Sequence, residues 1–397
     1  MTRSGPTRPI GQAVVAAQRT ANDGRPRPAA FTGMRGIATV PSYVIMQPTT
    51  LCNLDCSYCY LPHRARDRRM PEAVARAVAR TVNEWAAQAP RFSVVWHGGE
   101  PLAAGRAHLA ALMAPFEGVE HHIQTNATLI DDAWCDFFVH HDIHLGLSID
   151  GPRSLTSRRR TRGGEAAFDR ILRGISRVRE RGLSFAVLCV VSDPSPELAA
   201  PLYEFMAELG PTVLGVNIEE QEGVNHRSNA HDPARVRAFW AQLTAAWRRD
   251  PRIEVREVEW ALRFAAAALA GQADELLPRR HDPIPTIGHD GGVLLLSPEL
   301  AGFHSERYGD FTSGSVLQRP LDAIVAEAAR QPSGWVAEYL AGVEGCRAAC
   351  GYFGFCGGAH AANRYFEHGR FDGTLTRHCH NSRISLLEGV LDHARAA

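Results

Sequence analysis

Cys52-Asn53-Leu54-Asp55-Cys56-Ser57-Tyr58-Cys59 is a short loop with the spacing C-x3-C-x2-C, and it follows the apolar stretch Tyr43–Met46. Three thiolates on one loop repel one another unless a cation lies between them, and soft sulfur ligands favour iron–sulfur clusters, zinc or Cu(I). A [4Fe–4S] cluster has four irons, so three thiolates leave one iron free to bind a small molecule. A structural zinc ion would need a fourth ligand, for which His63 is the local candidate.

A second motif follows the apolar run Phe92–Trp96. It reads His97-Gly98-Gly99-Glu100-Pro101-Leu102, and its paired glycines permit close backbone approach. In this order the two motifs resemble the signature of radical S-adenosylmethionine (SAM) enzymes. The resemblance implies a SAM-binding [4Fe–4S] cluster and a carboxylate that holds the methionine ammonium of SAM. The implied residues are Cys52, Cys56 and Cys59 for the cluster, and Tyr58, Gly98, Gly99 and Glu100 for SAM.

Composition narrows the class of protein. The 397 residues are 45% hydrophobic and carry no formal net charge, so we expect a large core and no nucleic-acid surface. No stretch approaches about 18 consecutive apolar residues and no signal peptide opens the chain, so we expect a cytoplasmic protein without a membrane partner. Nine cysteines in such a protein favour metal over disulfides. Cys135 and Cys189 lie in apolar runs and are expected in the core.

Short apolar runs alternate with longer amphipathic segments between about 41 and 220. Six repeats of strand and helix favour a parallel sheet covered by helices, with functional loops at the carboxyl ends of the strands. We therefore predict an α/β fold, a partial (β/α)6 TIM-like barrel. The predicted strands are Tyr43–Met46, Phe92–Trp96, His121–Gln124, His144–Ser148, Phe185–Val191 and Thr212–Asn217. The predicted helices lie near 71–88, 106–114, 131–140, 165–181 and 195–208.

Four regions are expected along the chain. Residues 1–40, rich in Pro, Arg, Gly and Thr, form a flexible leader or an arm that touches a peptide partner, with a short helix at Gln12–Arg19. The other regions are the barrel at 41–225, a helical bridge at 226–285 with helices near 233–248 and 257–270, and a C-terminal domain at 286–397. In that domain, Val293–Leu296 and Phe311–Val316 predict a small hairpin.

Two further segments follow the third and fourth predicted strands. Gln124–Leu129 and Ser148–Pro152 look like the corresponding segments of radical SAM enzymes that carry a C-terminal SPASM domain, an extension holding extra clusters. The resemblance implies that Ser148 and Asp150 bind the ribose hydroxyls of SAM and that Asn126 lines the SAM pocket. The alternative is ordinary turn chemistry for Ser, Asp and Gly.

Charged residues cluster after the fourth and sixth strands. The run Arg158–Arg162 is either a solvated face or a source of one guanidinium for the SAM carboxylate or an acidic peptide. Glu219, Glu220 and Glu222 follow the sixth predicted strand and offer several acceptor groups at the same end of the sheet as the other motifs. There they orient a substrate, accept a proton or belong to a solvated loop.

A second group of cysteines, Cys346-x3-Cys350-x5-Cys356 and then Cys379, lies near the C-terminus. Four thiolates complete the coordination of a cluster, which then carries electrons or supports structure. The pattern resembles the SPASM site of the outer auxiliary cluster and implies one auxiliary [4Fe–4S] cluster. It departs from that site by a first spacing one residue longer, by His360 where a cysteine is expected, and by the absence of cysteine from 287–305. A four-cysteine zinc site is the alternative.

The C-terminal motifs narrow the resemblance to the cyclophane-forming radical SAM/SPASM peptide maturases of the GrrM/OscB and AmcB type. These motifs include Ser297–Leu300, Tyr308–Phe311 and Cys350–Gly358. Such enzymes join an aromatic ring carbon to the β-carbon of a nearby residue in a ribosomally synthesised precursor peptide. The resemblance implies that the auxiliary cluster accepts an electron and that Asp310, Glu219 or Glu220 accepts a proton.

The same resemblance implies an electron donor of the flavodoxin or ferredoxin type. Two alternatives stay open. One is another SPASM reaction, either thioether formation or sulfatase maturation. The other is a non-catalytic metal-binding protein that grips a peptide.

Overall fold

The computed structural model describes residues 36–89 and 91–396. The leader expected at 1–40 lies almost entirely outside these ranges, as does the short helix predicted at Gln12–Arg19. The four regional boundaries remain predictions.

The described strands form one nine-stranded sheet in the order β7-β6-β5-β4-β3-β2-β1-β8-β9. All neighbours pair in parallel except β8 and β9, so the predicted α/β fold with a parallel sheet is confirmed. The strand bounds are β1 (Tyr43–Met46), β2 (Ser93–Trp96), β3 (Glu120–Thr125), β4 (Ile143–Ser148), β5 (Phe185–Val191), β6 (Val213–Ile218), β7 (Glu254–Val255), β8 (Thr286–Ile287) and β9 (Val293–Leu294).

Helices connect the parallel strands and bury one face each against the sheet. Local sequence sets their ends: Asp131 accepts a hydrogen bond from the Trp134 N–H at the start of α3, and Gly210 adopts a left-handed conformation after α5. The helix bounds are α1 (Glu72–Gln88), α2 (Arg106–Met113), α3 (Asp132–His140), α4 (Phe168–Glu180), α5 (Pro196–Leu209), α6 (Pro233–Arg249), α7 (Arg256–Leu269), α8 (Leu321–Arg330), α9 (Gly334–Ala349), α10 (Phe353–Cys356), α11 (Ala361–His368), α12 (Arg377–Cys379) and α13 (Ser385–Ala396).

Cys135 and Cys189 are fully buried among apolar side chains, as predicted. Cys189 lies on β5, whose alternating burial places every second residue against the covering helices. None of the described helices is long and apolar enough to cross a membrane.

The two segments of the predicted C-terminal hairpin lie antiparallel to each other, and β9 has a second antiparallel neighbour that was not expected. On the Phe311–Val316 side, the Val293 N–H donates to the Gly314 carbonyl at 2.9 Å, the Ser313 N–H donates to the Val293 carbonyl at 2.8 Å, and Ser315 bridges Gly292. On its other side, β9 pairs antiparallel with β8. A tight turn explains the pairing, because the Gly292 N–H donates to the Asp290 carboxylate and the Gly288 N–H donates to the Gly292 carbonyl. β8 has only two residues, so its apolar pattern is too short to predict a strand.

The C-terminal helices pack back onto the helices that follow the barrel. Arg237 of α6 forms ion pairs with Glu388 and Asp392 of α13, and the Trp240 indole N–H donates to the Asn381 carbonyl at 2.9 Å. This packing brings the C-terminal cysteines and the loop after β6 into one neighbourhood.

Candidate functional site

A cavity of about 270 Å³ opens at the carboxyl ends of the parallel strands. The residues that line it come from the carboxyl ends of β3, β4, β5 and β6, from the loops after β1, β2, β3, β4 and β6, and from one residue after β9. They include Cys52, Cys56, Tyr58, Cys59, Tyr60, His97, Gly99, Glu100, Asn126, Ser148, Arg159, Glu219, Glu220, Glu222 and Glu299. The structure thus brings most of the sequence-predicted site residues to one place.

The cysteine loop is held by backbone hydrogen bonds to neighbouring loops. The Cys52 N–H donates to the Arg64 carbonyl at 2.8 Å, and the Asp55 N–H donates to the Arg160 carbonyl at 2.7 Å. Burial and the nearby Glu100 charge raise the pKa of Cys52 to about 12, so its thiolate needs a cation beside it. Three thiols on a fixed loop that lines a cavity fit a cluster with one open iron.

Two glycines let the second motif approach this loop. A Cβ atom on Gly99 would lie 2.6 Å from the Thr49 carbonyl oxygen and 2.7 Å from that of Leu51, and its φ is +64°. Gly98 also has a positive φ, and a Cβ there would lie 3.1 Å from Gln47. The Glu100 N–H donates to the Leu51 carbonyl at 2.8 Å, which fixes the two motifs together.

Glu100 is 1% exposed and lies at the wall of the cavity. Its carboxylate accepts hydrogen bonds from the Thr125 hydroxyl at 2.6 Å, the Asn126 N–H at 2.8 Å and the Leu102 N–H at 3.1 Å. Burial raises its pKa, against the effect of these donors. A buried carboxylate in this position suits a cationic ligand group.

Asn126 and Ser148 also reach the cavity. The Asn126 side-chain amide donates to the Asn53 side chain at 2.9 Å, and it lies 3.9 Å from the Cys52 sulfur. The Gln124 amide donates to the Ser148 hydroxyl at 2.8 Å. Both side chains therefore remain candidates for SAM contacts.

Asp150 does not line this cavity, which differs from the prediction that it binds ribose. Its two oxygens accept from Arg159 at 2.8 and 3.0 Å, from the Tyr58 hydroxyl at 2.7 Å and from the Val190 N–H at 3.0 Å. A carboxylate has about four acceptor positions, so the protein itself satisfies all of them. The position of Asp150 supports a role in holding Tyr58 and Arg159.

The arginine run packs on the cysteine loop; Arg160 and Arg162 are exposed, whereas Arg159 is buried and lines the cavity. Thr161 forms an isolated bridge with Leu54, Arg159 pairs with Asp150, and Arg158 pairs with Glu219 at 3.0 Å. Asp150 and Glu219 are visible in the sequence, but their separation from Arg159 and Arg158 along the chain leaves no local signal that predicts the ion pairs.

Three carboxyl groups that line the cavity have shifted pKa values: Glu222 is buried, whereas Glu220 and Glu299 are half-buried. Burial and the charge of Glu220 raise the pKa of Glu222 well above its usual value. Burial, with the Glu220 charge, also raises the pKa of Glu299 to about 7. Sequence analysis named Glu299 only within a motif, because nothing local indicates its burial.

Glu220 differs from the other two acids. Although burial opposes ionisation, the nearby His378 lowers the pKa of Glu220 to about 2, and the ring nitrogen of His378 lies 3.0 Å from its carboxylate. The Asn363 amide donates to both Glu220 and Glu222. Residues of the C-terminal helices thereby complete this side of the cavity.

Two predicted residues lie elsewhere. Asp310 is exposed, contacts His304 at 2.6 Å and lines a neighbouring cavity of about 280 Å³, so its position does not support a role as proton acceptor. His63 lines that same neighbouring cavity. It is absent from the lining of the cavity that Cys52, Cys56 and Cys59 share.

The four C-terminal cysteines line one small cavity of about 20 Å³. Arg364, 1% exposed, donates from its guanidinium to the Cys346 sulfur at 3.4 Å and to the Gly358 carbonyl at 2.6 Å. A complete four-thiol donor set fits a cluster without an open iron. His360 stacks edge-on against His378 with ring centroids 5.4 Å apart and does not line the four-thiol cavity.

Comparison with known proteins agrees with this geometry. A profile of the Radical SAM superfamily matches residues 46–197. An uncharacterised protein of Synechocystis is 31% identical over 352 residues, covering 85% of this chain and 87% of that protein. The serine-type anaerobic sulfatase-maturating enzyme of Klebsiella aerogenes is 35% identical over 191 residues, or 44% of this chain. That match spans only 46% of the Klebsiella enzyme.

Solved structures show the same fold. The anSMEcpe structure with bound AdoMet superposes with a TM-score of 0.69 at 19% identity, covering 89% of this chain and 98% of that one. Streptococcus suis SuiB bound to precursor peptide SuiA gives a TM-score of 0.60 at 16% identity, covering 92% and 79%. With the matched profile, the near full-length relative and the cavity that unites both motifs, the chain belongs to the radical SAM superfamily.

Proposed function

We propose that this protein is a radical SAM peptide maturase that joins an aromatic ring carbon to a β-carbon two residues away, forming a three-residue cyclophane. One observation carries the proposal: a single cavity is lined both by the three-thiol loop and by the carboxyl groups of Glu219, Glu220, Glu222 and Glu299. Forming a C–C bond between a ring carbon and a β-carbon removes one hydrogen from each. The reaction therefore needs a hydrogen-atom acceptor and a separate acceptor for a proton and an electron.

Cofactor binding follows from the positions of the side chains. Cys52, Cys56 and Cys59 would hold the cluster, while Glu100 and Asn126 would contact the methionine end of SAM. When bound, the cluster and SAM supply a carbon radical that removes a hydrogen atom from the substrate. The chain itself supplies positioning and a cavity that limits competing hydrogen donors.

Glu299 is the proposed proton acceptor, in place of Asp310. A general base works best when its pKa lies near the operating pH, and the pKa of Glu299 is about 7. Glu219 is held by Arg158, and the low pKa of Glu220 makes it a weak base. The electron would pass to the auxiliary cluster on Cys346, Cys350, Cys356 and Cys379.

Similarity to named proteins supports a peptide substrate. SuiB was solved with a precursor peptide, and anSMEcpe with the Cp18Cys peptide. We propose a ribosomally synthesised precursor peptide as substrate, a flavodoxin or ferredoxin type of protein as electron donor, and a cytoplasmic location. Sulfatase maturation is the second candidate, since sulfatase-maturating enzymes share the barrel sequence with this chain.

Anaerobically reconstituted protein tests the enzymatic part of the proposal. Iron and sulfide are counted, then SAM and dithionite are added and 5′-deoxyadenosine is measured by mass spectrometry. We expect about eight irons per chain, the content of two [4Fe–4S] clusters, and formation of deoxyadenosine. Zinc in place of iron, or intact clusters without SAM cleavage, would contradict it and favour a non-catalytic peptide-binding protein.

Peptide products separate the two enzymatic candidates. A short aromatic-rich peptide encoded beside the gene is incubated with the active enzyme and sequenced by tandem mass spectrometry. A cyclophane loses two hydrogens per ring and suppresses fragmentation between the joined residues. Conversion of a serine or cysteine in a sulfatase peptide to an aldehyde, detected with a hydrazide probe, would instead establish the second candidate.

A further inference from the structure

A group of metal-ligand side chains lies apart from both cysteine sites. Glu120 and His122 are on β3 and His144 is on β4, where His122 and His144 are directly paired in the parallel register. Side chains two residues apart share a face of a strand, so these three lie on the same face as Gln124 and Ser148. Gln124 and Ser148 line the SAM cavity, which leaves the three at the opposite, amino end of the strands.

The distances suit chelation. The Nε2 atom of His122 lies 3.7 Å from the Glu120 carboxylate, that of His144 lies 4.0 Å from it, and the ligand atoms all lie within 4.8 Å of one another. In a tetrahedral zinc site with bonds of about 2.0–2.1 Å, ligand atoms lie roughly 3.3 Å apart. Small side-chain rotations close that difference.

The paired strands hold the backbone of the three residues in place, and the three side chains are accessible to solvent. The two imidazole rings stack with centroids 4.6 Å apart and 19° between planes, and adjacent hydrogen-bonded strands hold their backbones. The side chains are 39%, 39% and 52% exposed for Glu120, His122 and His144, so an ion can enter from solvent. Two imidazoles and a carboxylate match the His₂Glu set of zinc sites with an open position.

We propose that Glu120, His122 and His144 form a binding site for a divalent transition-metal ion, with zinc the best match, at the amino end of β3 and β4. Water completes the coordination. The bound ion cross-links the two strands and stabilises the folded chain at free zinc concentrations above its dissociation constant. The site is independent of the proposed reaction.

Zinc binding to tag-free, cluster-reconstituted enzyme tests the site. The protein is dialysed to equilibrium against a zinc buffer, and zinc, iron and sulfide per chain are measured by mass spectrometry and colorimetry. We expect one zinc per chain in addition to unchanged iron and sulfide. The H122Q/H144Q variant should lose that zinc, and E120Q should weaken its binding more than about tenfold, because each removes ligands.

His140 and His141 provide the matched control. Their rings lie 4.7 Å apart, so H140Q/H141Q removes a neighbouring histidine pair while leaving the proposed ligands intact. This variant should bind zinc like the parent. Absence of zinc from the parent, or full zinc retention in H122Q/H144Q, would overturn the site and place any zinc on the cysteines. Circular dichroism confirms that each variant is folded.

Discussion

The two cysteine sites of the molecule differ in the amount of open space beside their thiols. Three thiols in the barrel line a cavity of about 270 Å³, whereas four C-terminal thiols line one of about 20 Å³. An incomplete thiol set beside open space leaves room for a small molecule at the metal, and a complete set around a small space does not. This difference is the one expected if, as proposed, the barrel site holds the SAM-binding cluster and the C-terminal site holds the auxiliary cluster.

Their counter-charges differ as well. In the barrel, the guanidinium of Arg159 lies among the residues around Cys56 but is paired with Asp150 at 2.8 Å. At the C-terminal site, Arg364 is buried and bonded to carbonyls and to the Cys346 sulfur. Among the described residues no carboxylate lies within ion-pair distance of Arg364. The closed site therefore has an arginine whose natural counter-charge is the thiolate group itself.

Loss of a cysteine should have the largest effect and should distinguish the sites. The C56A variant is expected to lose reductive SAM cleavage to background, because the cluster loses one of three ligands. The C379A variant should still form deoxyadenosine but yield far less crosslinked peptide. Deoxyadenosine and peptide product are quantified together by mass spectrometry.

C135A is the matched control for these variants, since Cys135 is a fully buried core residue. It should keep both activities and the parent iron content. Deoxyadenosine formation by C56A at the parent rate would contradict the assignment of the open site.

The G99A variant should have the next largest effect. A Cβ at this position meets two backbone oxygens at 2.6 and 2.7 Å and must adopt a φ of +64°, so the cysteine loop has to shift. We expect a loss of about 2–4 kcal/mol in the free energy of unfolding and lower iron content at the barrel site. Denaturant unfolding and iron analysis measure both.

A substitution at Gly105 separates the effect of backbone strain from the effect of a steric clash at the added Cβ. It has a φ of +84°, but no atom lies within 4 Å of the position that a Cβ would occupy, so G105A carries only the backbone strain. That variant should lose about 1–2 kcal/mol and keep its iron. Equal losses in G99A and G105A would show that close packing against the cysteine loop does not matter.

Much of the barrel could be predicted because its signals are local. The seven-residue run Phe185–Val191 coincides with a strand, and both cofactor motifs fall at strand ends that the parallel topology brings together. The pairing of β9 with β8 was not predicted, because a two-residue strand such as β8 carries no periodicity. Local pattern therefore predicts elements well only above a certain length.

Contacts between residues that lie far apart in the sequence could not be predicted. The position of Glu299 beside Glu220, and of Arg364 beside Cys346, depends on packing between segments that lie apart in the sequence. A charged residue has the same sequence signature on a solvated loop and in a buried site. The resemblance implied Asp310, Glu219 or Glu220 as the proton acceptor, and the side chain of Asp310 proves to be exposed.

Removing the Arg364 charge should shift the auxiliary cluster's reduction potential. Reduction adds negative charge to a thiolate-bound cluster, and a nearby cation favours the reduced form. We expect R364M to move the potential to more negative values, while R364K, which keeps the charge, stays closer to the parent. Redox titration followed by electron paramagnetic resonance measures the potential of each cluster.

Arg370 offers the control in the same domain. Its side chain is 57% exposed and pairs with Asp372 at 3.2 Å, so R370M should leave the potential unchanged. A parent-like potential in folded R364M would show that this arginine serves packing alone. The barrel cluster should keep its potential in every one of these variants.

The smallest expected effect is a shift in the pH dependence of product formation, which involves Glu220 and Glu299. Product formation should rise as pH increases through about 7, since a base must be ionised and the pKa of Glu299 is about 7. The negative charge of Glu220 contributes to that raised pKa. The E220Q variant should therefore lower the pKa of Glu299 and shift the rising limb of the profile to lower pH, by a fraction of a unit to about one unit.

The pH profile is measured as crosslinked peptide per deoxyadenosine, so that SAM cleavage itself is divided out. Glu306 is exposed and is absent from the residues that perturb Glu299, so E306Q should reproduce the parent profile. E299Q should remove the rising limb and form deoxyadenosine with little peptide product. An unchanged limb in both E220Q and E299Q would assign the proton to another group and leave the acids at the cavity mouth to substrate binding.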